Sequence, residues 1–503
     1  MSKRTKENEA ICMFYQSTRD SSVVVTGTQA ILQGMAGDGG LFVPAEGRLP
    51  QLDVGRICGM ETQEMAAEIM GALLPEFSAG ELRQMVRNAY QGRFETEALT
   101  PAVPVGDRYV LELFRGPTSA FKDVALCMLP QLITAARVRQ GVTDEIVILT
   151  ATSGDTGKAA LSGFCDVPGT RILVFYPEEG VSPIQKAQMT TQQGGNVTVC
   201  AIRGNFDDAQ TGVKAVFRAC AEQKLLKGSG LRLSSANSIN IGRLIPQTVY
   251  YFKAYADLLH AGRIQAGAPV DFVVPTGNFG DILAGYFAKQ MGLPVGTLVC
   301  ASNQNDVLTE FLQTGRYDRN RAFHKTISPS MDILVSSNLE RLLYFAGRDT
   351  ATVRRLMEEL AEQGCYRIPD SMFRKISGEF WAGCCGEAAT KETIRQVWEA
   401  YGYLMDPHTA VAWNVAEQYR ANGTGRPVVV LSTASAYKFP AAVLEALGER
   451  PDEDEFLAMD RLAELTGVPV PANLSGLRRR PVLHRDVVNK EEILPYVLQK
   501  IGK

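Results

Sequence analysis

The chain has 503 residues, of which 45% are hydrophobic and 21% charged, and these values exclude a long disordered or fibrous protein. Its 52 lysines and arginines nearly balance 55 aspartates and glutamates, for a net charge of −3, which argues against a general nucleic-acid-binding protein. At roughly 150 residues per domain, the length predicts about three domains.

Several features favour a soluble cytoplasmic enzyme. Residues 1–10 are charged and no apolar core follows them, so we expect no secretory signal. No stretch is apolar over the roughly 20 residues that a membrane-spanning helix requires, so we expect no membrane partner. The ten cysteines are sparse and indicate reduced thiols, and the four histidines are too far apart for a metal site.

The first hundred residues predict a small helical domain. Residues 62–74 and 79–92 carry apolar side chains at helical spacing, and Pro75 and Ser78 lie between them. We assign this N-terminal domain to residues 1–100.

Residues 101–450 have a different sequence pattern, in which short apolar runs rich in branched side chains alternate with helical patterns. This alternation predicts an α/β fold with a parallel sheet, in which ligands collect at the carboxyl ends of the strands. The predicted strands are residues 109–113, 146–150, 171–175, 197–201, 270–274, 297–301 and 428–432, and two of the helical patterns are 207–226 and 281–291.

We assign residues 451–503 to a C-terminal extension. Its acidic run, residues 452–455, indicates a solvated linker. Residues 490–499 show one further helical pattern.

The turn after the first predicted strand contains an unusually placed lysine. We expect Ser119 to be the N-cap of a helix, with Lys122 and Asp123 in its first turn. A cation is unfavourable there, because the helix dipole makes the amino end positive. Lys122 is therefore either a surface lysine that reaches water or a lysine whose charge is lost in a Schiff base with a cofactor aldehyde.

The turn Ala151-Thr-Ser-Gly-Asp-Thr-Gly-Lys is similar to a phosphate loop but lacks the spacing of a nucleotide P-loop. Two residues instead of four separate Gly154 from Gly157, and no hydroxyl residue follows Lys158. Its hydroxyls and backbone N–H groups at a helix start suit a carboxylate, and an ordinary capped turn is an equal alternative.

The turn Pro275-Thr-Gly-Asn-Phe-Gly-Asp follows another predicted strand. Gly277 and Gly280 allow backbone amides to approach an anion at the start of the next helix, which indicates a phosphate site.

Two more segments carry polar groups. A polar stretch that opens a helix contains Asn237, Ser238 and Arg243, and Arg243 either binds a second phosphate or lies on the surface. Ser432 and Thr433 end the last predicted strand, where their hydroxyls bond a ligand or belong to an ordinary turn.

Together, these segments resemble threonine synthase in its long form, a family of pyridoxal-phosphate-dependent enzymes of fold type II. The likeness covers nearly the whole chain and keeps the motifs in one order. The motifs that carry it are Tyr15-Gln-Ser-Thr-Arg, Ala36-Gly-Asp-Gly-Gly-Leu-Phe-Val-Pro, Gly116-Pro-Thr-Ser-Ala-Phe-Lys-Asp-Val-Ala, Thr152-Ser-Gly-Asp-Thr-Gly, Tyr176-Pro, Gly180-Val-Ser, Gln188-Met-Thr-Thr, Gly204-Asn-Phe-Asp-Asp, Pro275-Thr-Gly-Asn-Phe-Gly-Asp, Ser328-Pro-Ser-Met-Asp-Ile, Asp406-Pro-His-Thr-Ala-Val-Ala and Ser432-Thr.

The resemblance implies a fold like that of the tryptophan synthase β subunit, with two parallel-sheet lobes and a helical N-terminal domain. The smaller lobe would be about residues 126–242. The implied cofactor is pyridoxal 5′-phosphate, held by Lys122 as a Schiff base, and Lys122 would also move protons. No metal is implied.

The resemblance also assigns roles to the other candidate residues. The cofactor phosphate would be seated by Gly277, Asn278, Phe279, Gly280 and Asp281, the pyridine nitrogen would meet Thr433, and the ring hydroxyl would lie near Asp155. The substrate carboxylate would be bound by Ser153, Gly154 and Thr156, and the substrate phosphate by Asn237, Ser238 and Arg243.

The activity implied is conversion of O-phospho-L-homoserine and water to L-threonine and phosphate, the last step of threonine biosynthesis. The partner would be this small molecule, with no nucleic acid and no membrane, and the protein would be a monomer or homodimer. Two alternatives are a phospho-lyase that releases 2-ketobutyrate and a catalytically silent relative.

Three positions depart from the pattern expected of relatives. Arg115 replaces a histidine, and Ala434-Ser-Ala-Tyr replaces a His-Pro-Ala pattern before Lys-Phe-Pro. Asp155 replaces the asparagine of many fold type II enzymes. These departures bear on substrate preference and on the protonation of Asp155.

Overall fold

A computed structural model describes residues 13–423 and 425–502. Residues 1–10, on which the expectation of no secretory signal rests, lie outside the described residues. The strands, in chain order, are β1 Phe14–Ser17, β2 Val24–Thr26, β3 Phe42–Pro44, β4 Ala102–Val105, β5 Arg108–Glu112, β6 Glu145–Ala151, β7 Thr170–Pro177, β8 Val197–Arg203, β9 Leu231–Ser235, β10 Val270–Pro275, β11 Val295–Ser302, β12 Arg316–Asp318, β13 Cys365–Arg367, β14 Phe380–Cys384, β15 Val428–Ser432 and β16 Asp486–Asn489.

The α-helices surround these strands. In chain order they are α1 Gly27–Gln33, α2 Val54–Cys58, α3 Thr62–Leu73, α4 Ala79–Tyr90, α5 Lys122–Arg139, α6 Asp155–Phe164, α7 Pro183–Thr190, α8 Phe206–Glu222, α9 Ile241–His260, α10 Gly280–Gln290, α11 Val307–Thr314, α12 Leu339–Gly347, α13 Thr350–Gln363, α14 Asp370–Ser377, α15 Glu387–Tyr401, α16 Pro407–Arg420, α17 Pro440–Ala446, α18 Glu455–Thr466 and α19 Ile493–Lys500.

Two sheets form the body of the molecule, as the predicted α/β fold requires. The larger has the order β14-β11-β10-β15-β5-β4, in which β4 runs antiparallel to β5 and the other pairs are parallel. The smaller is parallel throughout, with the order β16-β8-β7-β6-β9. Smaller antiparallel pairings join β2-β1-β3 and β12-β13.

All seven predicted strands are present, which confirms the apolar runs as strands. The strands of these two sheets that the sequence did not reveal are β4, β9, β14 and β16, and each lies at the edge of its sheet. Central parallel strands are covered on both faces and read as continuous apolar runs, whereas edge strands are short and mixed in character.

The N-terminal region confirms its two predicted helices, α3 and α4, and also contains the antiparallel sheet β2-β1-β3, which the helical spacing did not predict. A capping box between Ser78 and Glu81 starts α4. Leu73 of α3, Leu129 of α5 and Val274 of β10 belong to one continuous hydrophobic core. The domain boundaries at residues 100 and 450 stay predictions.

The C-terminal region differs from the prediction of a solvated linker. Asp452 and Glu453 are exposed, but Asp454 accepts a hydrogen bond from the N–H of Phe456 (2.9 Å) and caps α18, so the acidic run ends at the start of a helix. Buried Met459 and Leu462 fix α18 against the larger lobe. Strand β16 then joins the smaller sheet, and α19 packs on α8.

Within residues 13–423 and 425–502, no helix combines the length and apolarity needed to cross a bilayer. In the same residues, no group of three or more histidine, cysteine, aspartate or glutamate side chains is arranged to hold a metal ion.

Candidate active site

The candidate residues lie just after the carboxyl ends of strands in both sheets. Strands β5, β10 and β15 of the larger sheet and β6 and β9 of the smaller sheet each lead into one of the candidate segments. This is the edge at which parallel α/β sheets bind ligands.

The lysine turn, residues 116–123, is held by a buried carboxylate. Asp123 accepts hydrogen bonds from the N–H groups of Thr118 (2.9 Å) and Ala120 (3.5 Å) and from the Thr118 hydroxyl. A Cβ at Gly116 would lie 2.4 Å from the Asp123 side chain, so only glycine permits this approach. The turn therefore presents the next helix in one conformation.

The prediction that Ser119 is the N-cap of this helix is wrong. Helix α5 begins at Lys122 after Phe121, and Ser119 adopts a left-handed conformation with φ of 57°. Its hydroxyl donates instead to Asn473 of the C-terminal region (2.9 Å). The carboxylate of Asp123, rather than a serine cap, closes the turn before the helix, because it accepts from the N–H groups of Thr118 and Ala120.

Lys122 is the first residue of α5, as predicted, and its side chain is partly buried. Burial lowers the pKa of the Lys122 amine to about 8; the carboxylate of Asp155 opposes this shift, and the charges of Arg243 and Lys438 reinforce it. The alternative of a surface lysine in full contact with water is therefore not supported. A lysine with this pKa both accepts and donates protons near neutral pH.

The phosphate turn, residues 277–280, connects β10 to α10. A Cβ at Gly277 would lie 2.6 Å from the carbonyl oxygen of Ser330, and Phe279 has a left-handed φ of 59°. The first N–H groups of α10 have no acceptor within the helix, and the helix dipole makes this end positive. This geometry suits a backbone site for an anion, and the assignment of Gly277, Asn278, Phe279 and Gly280 to it stays a prediction.

Neighbouring loops hold the phosphate turn in place. The Ser336 hydroxyl donates to the Gly277 carbonyl (2.8 Å), and the Asn338 side chain donates to the Asn278 carbonyl (2.9 Å).

His408, which sequence reasoning gave no role, supports the same region. Its Nε2 accepts from the N–H of Ser330 (3.1 Å), and its Nδ1 faces the Asp406 carboxylate at 2.7 Å. Asp406 therefore fixes the histidine tautomer that holds Ser330 against Gly277.

Asp281, also predicted to bind the cofactor phosphate, directs its carboxyl group elsewhere. The hydroxyl of Tyr251 on α9 donates to one carboxyl oxygen (3.0 Å), and burial raises the pKa of Asp281 to about 7. The side chain of Asp281 therefore joins α10 to α9. The part of Asp281 suited to an anion is its backbone N–H at the positive end of α10.

The loop of residues 153–156 connects β6 to α6, as predicted. The Thr152 hydroxyl accepts hydrogen bonds from the N–H groups of Gly154 (2.9 Å) and Gly157 (2.8 Å). Gly154 has φ of 136°, and Ser153 and Thr156 are partly exposed at the helix start. These hydroxyls and the positive end of α6 suit a carboxylate.

Asp155 forms an ion pair with Lys438, a residue that sequence reasoning missed. Its carboxylate also accepts a hydrogen bond from Gln185 (2.7 Å). Burial opposes ionisation, but the charges of Lys438 and Lys122 hold the pKa of Asp155 well below its usual range. The ion pair and the lowered pKa both favour the anionic form of Asp155.

The arginine segment, residues 236–243, leads from β9 into α9. Arg243 is 3% exposed, so the surface alternative is wrong. It donates to the Ala236 carbonyl (3.0 Å), its Nε has no partner among the described residues, and burial lowers its pKa to about 10. In the described part of the chain, no acidic side chain pairs with it, so an anionic ligand is its natural partner.

Asn237 and Ser238 lie beside Arg243, as predicted. The buried Oδ1 atom of Asn237 also has no partner among the described residues. A Cβ at Gly280 would lie 3.8 Å from that of Ser238, so the arginine segment and the phosphate turn are neighbours. Buried Arg341 donates to the Ile239 carbonyl (2.6 Å) and holds this segment.

Thr433 is buried at the end of β15, next to the lysine turn. Its carbonyl accepts from the N–H of Phe121 (2.8 Å), and Ala434 forms a β-bridge with Ala120. The 434–437 departure therefore contacts the lysine turn, whereas Arg115 is engaged by Glu112 at 2.7 Å and by Glu95 at 3.0 Å.

Pyridoxal phosphate fits these residues. A glycine turn at a helix start suits its phosphate, and Lys122 supplies an amine for its aldehyde. Buried polar atoms without a partner among the described residues suit a polar ligand, and in this region they include Gln185 Oε1, Asn237 Oδ1 and Arg243 Nε.

Lys438 and Gln185 could have been suspected from sequence only weakly. Lys438 is a lone lysine in an otherwise apolar run after a strand, and Gln185 lies in the first turn of a helix. The local sequence at neither position predicts its partner, because Asp155 is 283 residues from Lys438 and 30 from Gln185.

Comparison with family models covers almost the whole chain. Residues 97–434 match the pyridoxal-phosphate dependent enzyme model. Residues 14–90 match the threonine synthase N-terminus, and residues 409–493 match the threonine synthase C-terminal model.

Individual proteins agree with these matches. The chain is 40% identical over 449 residues to threonine synthase from Pseudomonas aeruginosa, covering 87% of this chain and 92% of that protein. It is also 40% identical over 434 residues to human threonine synthase-like 1, covering 84% of this chain. The chain spans 58% of the length of that human relative.

Among solved structures, the crystal structure of PLP-bound threonine synthase from Brucella melitensis is 40% identical and superposes with a TM-score of 0.84, covering 97% of this chain and 98% of that chain. The identity, the coverage and the three family models together show that this chain belongs to the pyridoxal-phosphate-dependent threonine synthase family, with the α/β fold of type II.

Proposed function

We propose that the protein is a threonine synthase that converts O-phospho-L-homoserine and water into L-threonine and inorganic phosphate. The observation that carries this proposal is Arg243, a buried cation with no acidic partner among the described residues, beside a separate backbone turn suited to an anion. Two anion sites next to one reactive lysine suit a phosphorylated cofactor and a phosphorylated substrate.

The substrate's charged groups have complementary residues. Arg243, Asn237 and Ser238 bind its phosphate, because the forked donors of a guanidinium match phosphate oxygens. Ser153, Gly154 and Thr156 bind its carboxylate at the positive end of α6. These two contacts fix both ends of the molecule and leave its carbon chain near Lys122.

Pyridoxal phosphate, when bound, supplies an electron sink for negative charge that develops on substrate carbons. The N–H groups of the phosphate turn and of Asp281 would hold its phosphate, the Thr433 hydroxyl would bond the ring nitrogen, and Asp155 would face the ring hydroxyl. Lys122 would anchor it and, once displaced, would remove protons from Cα and then Cβ as the Cγ–O bond breaks and phosphate leaves. Lys122 would then return one proton to Cγ and, after the oxygen of water has added at Cβ and its proton has passed to phosphate, one proton to Cα. Its lowered pKa suits one group that performs these transfers in turn.

The remaining properties are proposed from sequence. We place the protein in the cytoplasm, as a monomer or homodimer that acts on a small molecule without nucleic acid or membrane partners. Sedimentation at assay concentration, with and without substrate, measures the oligomeric state.

The test of function is to incubate the full chain with O-phosphohomoserine and pyridoxal phosphate and to assay threonine, 2-ketobutyrate and inorganic phosphate together. We expect threonine in amounts equal to phosphate. Phosphate accompanied by 2-ketobutyrate would replace the proposal with a phospho-lyase. No phosphate would leave a relative of the family with another substrate or none.

A further inference from the structure

A second lysine lies beside Lys122 in the candidate site. Lys438 ends a short 3₁₀ turn, Ala436–Lys438, after β15, and its side chain is fully buried. Its Nζ contacts the carboxylate of Asp155 and lies 3.3 Å from the carbonyl of Thr118 in the lysine turn. Lys438 thus joins the end of a strand in the larger sheet to the start of α6 in the smaller lobe and to the lysine turn.

Asp155 is locked in this contact. Gln185 of α7 donates to the same carboxylate (2.7 Å), and Asp155 is 3% exposed. A Cβ at Gly154 would lie 2.5 Å from the Gln185 side chain, so α7 packs directly on the loop that carries Asp155. The carboxylate therefore meets Lys438 and Gln185 in a fixed geometry.

Both members of the Asp155–Lys438 ion pair affect the protonation of Lys122. Asp155 and Asp123 favour the ammonium form of Lys122, whereas Arg243 and Lys438 oppose it. Asp123 is already bound by Thr118 and Ala120. Around Lys438, the charged groups are Asp155, Asp123, Lys122 and Lys158.

Lys438 and Lys122 are the two cations whose charges lower the pKa of Asp155. Without Lys438, Asp155 would be a buried anion left with the charge of Lys122, and Coulomb attraction is strong where water is excluded. An ammonium ion paired with Asp155 can neither form a Schiff base nor accept a proton.

We propose that Lys438 is a positioning residue for Lys122: by pairing with Asp155, it prevents this carboxylate from capturing Lys122 and leaves the Lys122 amine free to react. The inference rests on the role of Lys122 in the proposed function. A buried ion pair is often no more stable than apolar side chains of the same volume, so its presence beside the reactive lysine favours a role in the chemistry over one in stability alone.

The test measures the free amine itself, in the full chain after removal of pyridoxal phosphate. Acetic anhydride acylates amines in their neutral form, and peptide mass spectrometry reports the rate at Lys122 as a function of pH. In Lys438→Met, we expect the midpoint of this profile to move up by about one pH unit, which slows acylation roughly tenfold at neutral pH. In Asp155→Asn, the midpoint moves down, because the group that favours the ammonium form is lost.

The double variant Asp155→Asn, Lys438→Met removes both charges, and its midpoint returns toward that of the original protein. Lys253→Met is the matched control. Lys253 is also a buried lysine paired with an aspartate, Asp257 on the same helix, but it is not among the main charges that shift the pKa of Lys122, which are Asp155, Arg243, Lys438 and Asp123. Lys253→Met should therefore leave the midpoint of the pH profile of Lys122 acylation unchanged.

A purely structural role would lower the thermal midpoint of both single variants without moving the Lys122 profile in opposite directions, and this outcome would overturn the inference. If Lys438→Met fails to fold, Asp155→Asn decides alone, since an unchanged profile there also overturns it. The proposed function fails separately, if Lys122→Ala keeps the visible absorption of the lysine–cofactor Schiff base.

Discussion

The phosphate turn and the arginine segment are neighbours, yet they bind negative charge by different means. The phosphate turn uses backbone N–H groups at the start of α10, and Gly277 is packed directly against Ser330. The arginine segment uses Arg243, a buried cation that no acidic side chain in the described part of the chain pairs with. A shaped backbone site suits a cofactor that stays bound, whereas an unpaired cation suits a substrate phosphate that must arrive and leave as free phosphate.

The largest effect is expected at the amine that both regions serve. Lys122→Ala should abolish turnover and the visible band of the cofactor, because the variant has no amine at the start of α5 to form the Schiff base. Absorption spectra and product assays measure this, with Lys253→Ala as control. A retained band would show that another lysine is the anchor.

Arg243→Ala should separate the two regions. We expect kcat/KM for O-phosphohomoserine to fall by roughly 10²- to 10³-fold, a loss of about 3–4 kcal/mol from removing one partner of a buried charge pair. The cofactor band should persist, since the phosphate turn is intact. Arg243→Lys, which keeps the charge but not the fork, should lie between the two. Loss of colour in Arg243→Ala would mean that the two phosphate sites are exchanged.

Gly277→Ala is the converse change. The added methyl meets the Ser330 carbonyl at 2.6 Å and should weaken pyridoxal phosphate binding by about 10- to 100-fold, or roughly 1–3 kcal/mol. Gly280→Ala should lose less, since its nearest neighbour would be 3.5 Å away. Equilibrium dialysis against the cofactor gives both dissociation constants, and equal losses would contradict the steric account.

The pH dependence of kcat tests whether the Lys122 amine, which lies between the two regions, is the limiting base. Burial lowers the pKa of Lys122 to about 8, so below that pH the ammonium form dominates and the base is scarce. We expect kcat to rise about tenfold per pH unit below pH 8 and to level off above it. Steady-state rates at saturating substrate test this, and a flat profile from pH 6 to 9 would remove Lys122 as the limiting base.

The smallest effect is expected outside both regions, at Arg115. Its ion pairs with Glu112 and Glu95 are partly exposed, and such pairs contribute about 0–1 kcal/mol. Arg115→Ala should therefore change kcat/KM less than about fivefold. A much larger loss would place Arg115 in the substrate site.

Local pattern predicted the central strands and the turns that follow them. The apolar runs that form β6, β10 and β15 could be predicted as strands, because buried parallel strands consist of continuous apolar, branched residues. The placement of Lys122 at a helix start also follows from its own segment. Edge strands such as β9 escaped prediction, because pairing at the rim of a sheet stabilises short mixed sequences.

The sequence by itself therefore determined the α/β class, the family and the segments that form the site. Only the tertiary structure decided that Arg243 is buried, that Ser119 is not a cap and that Lys438 pairs with Asp155 across 283 residues. The physical reason is that burial and charge pairing depend on which segments meet, and a local pattern carries no information about its distant partner.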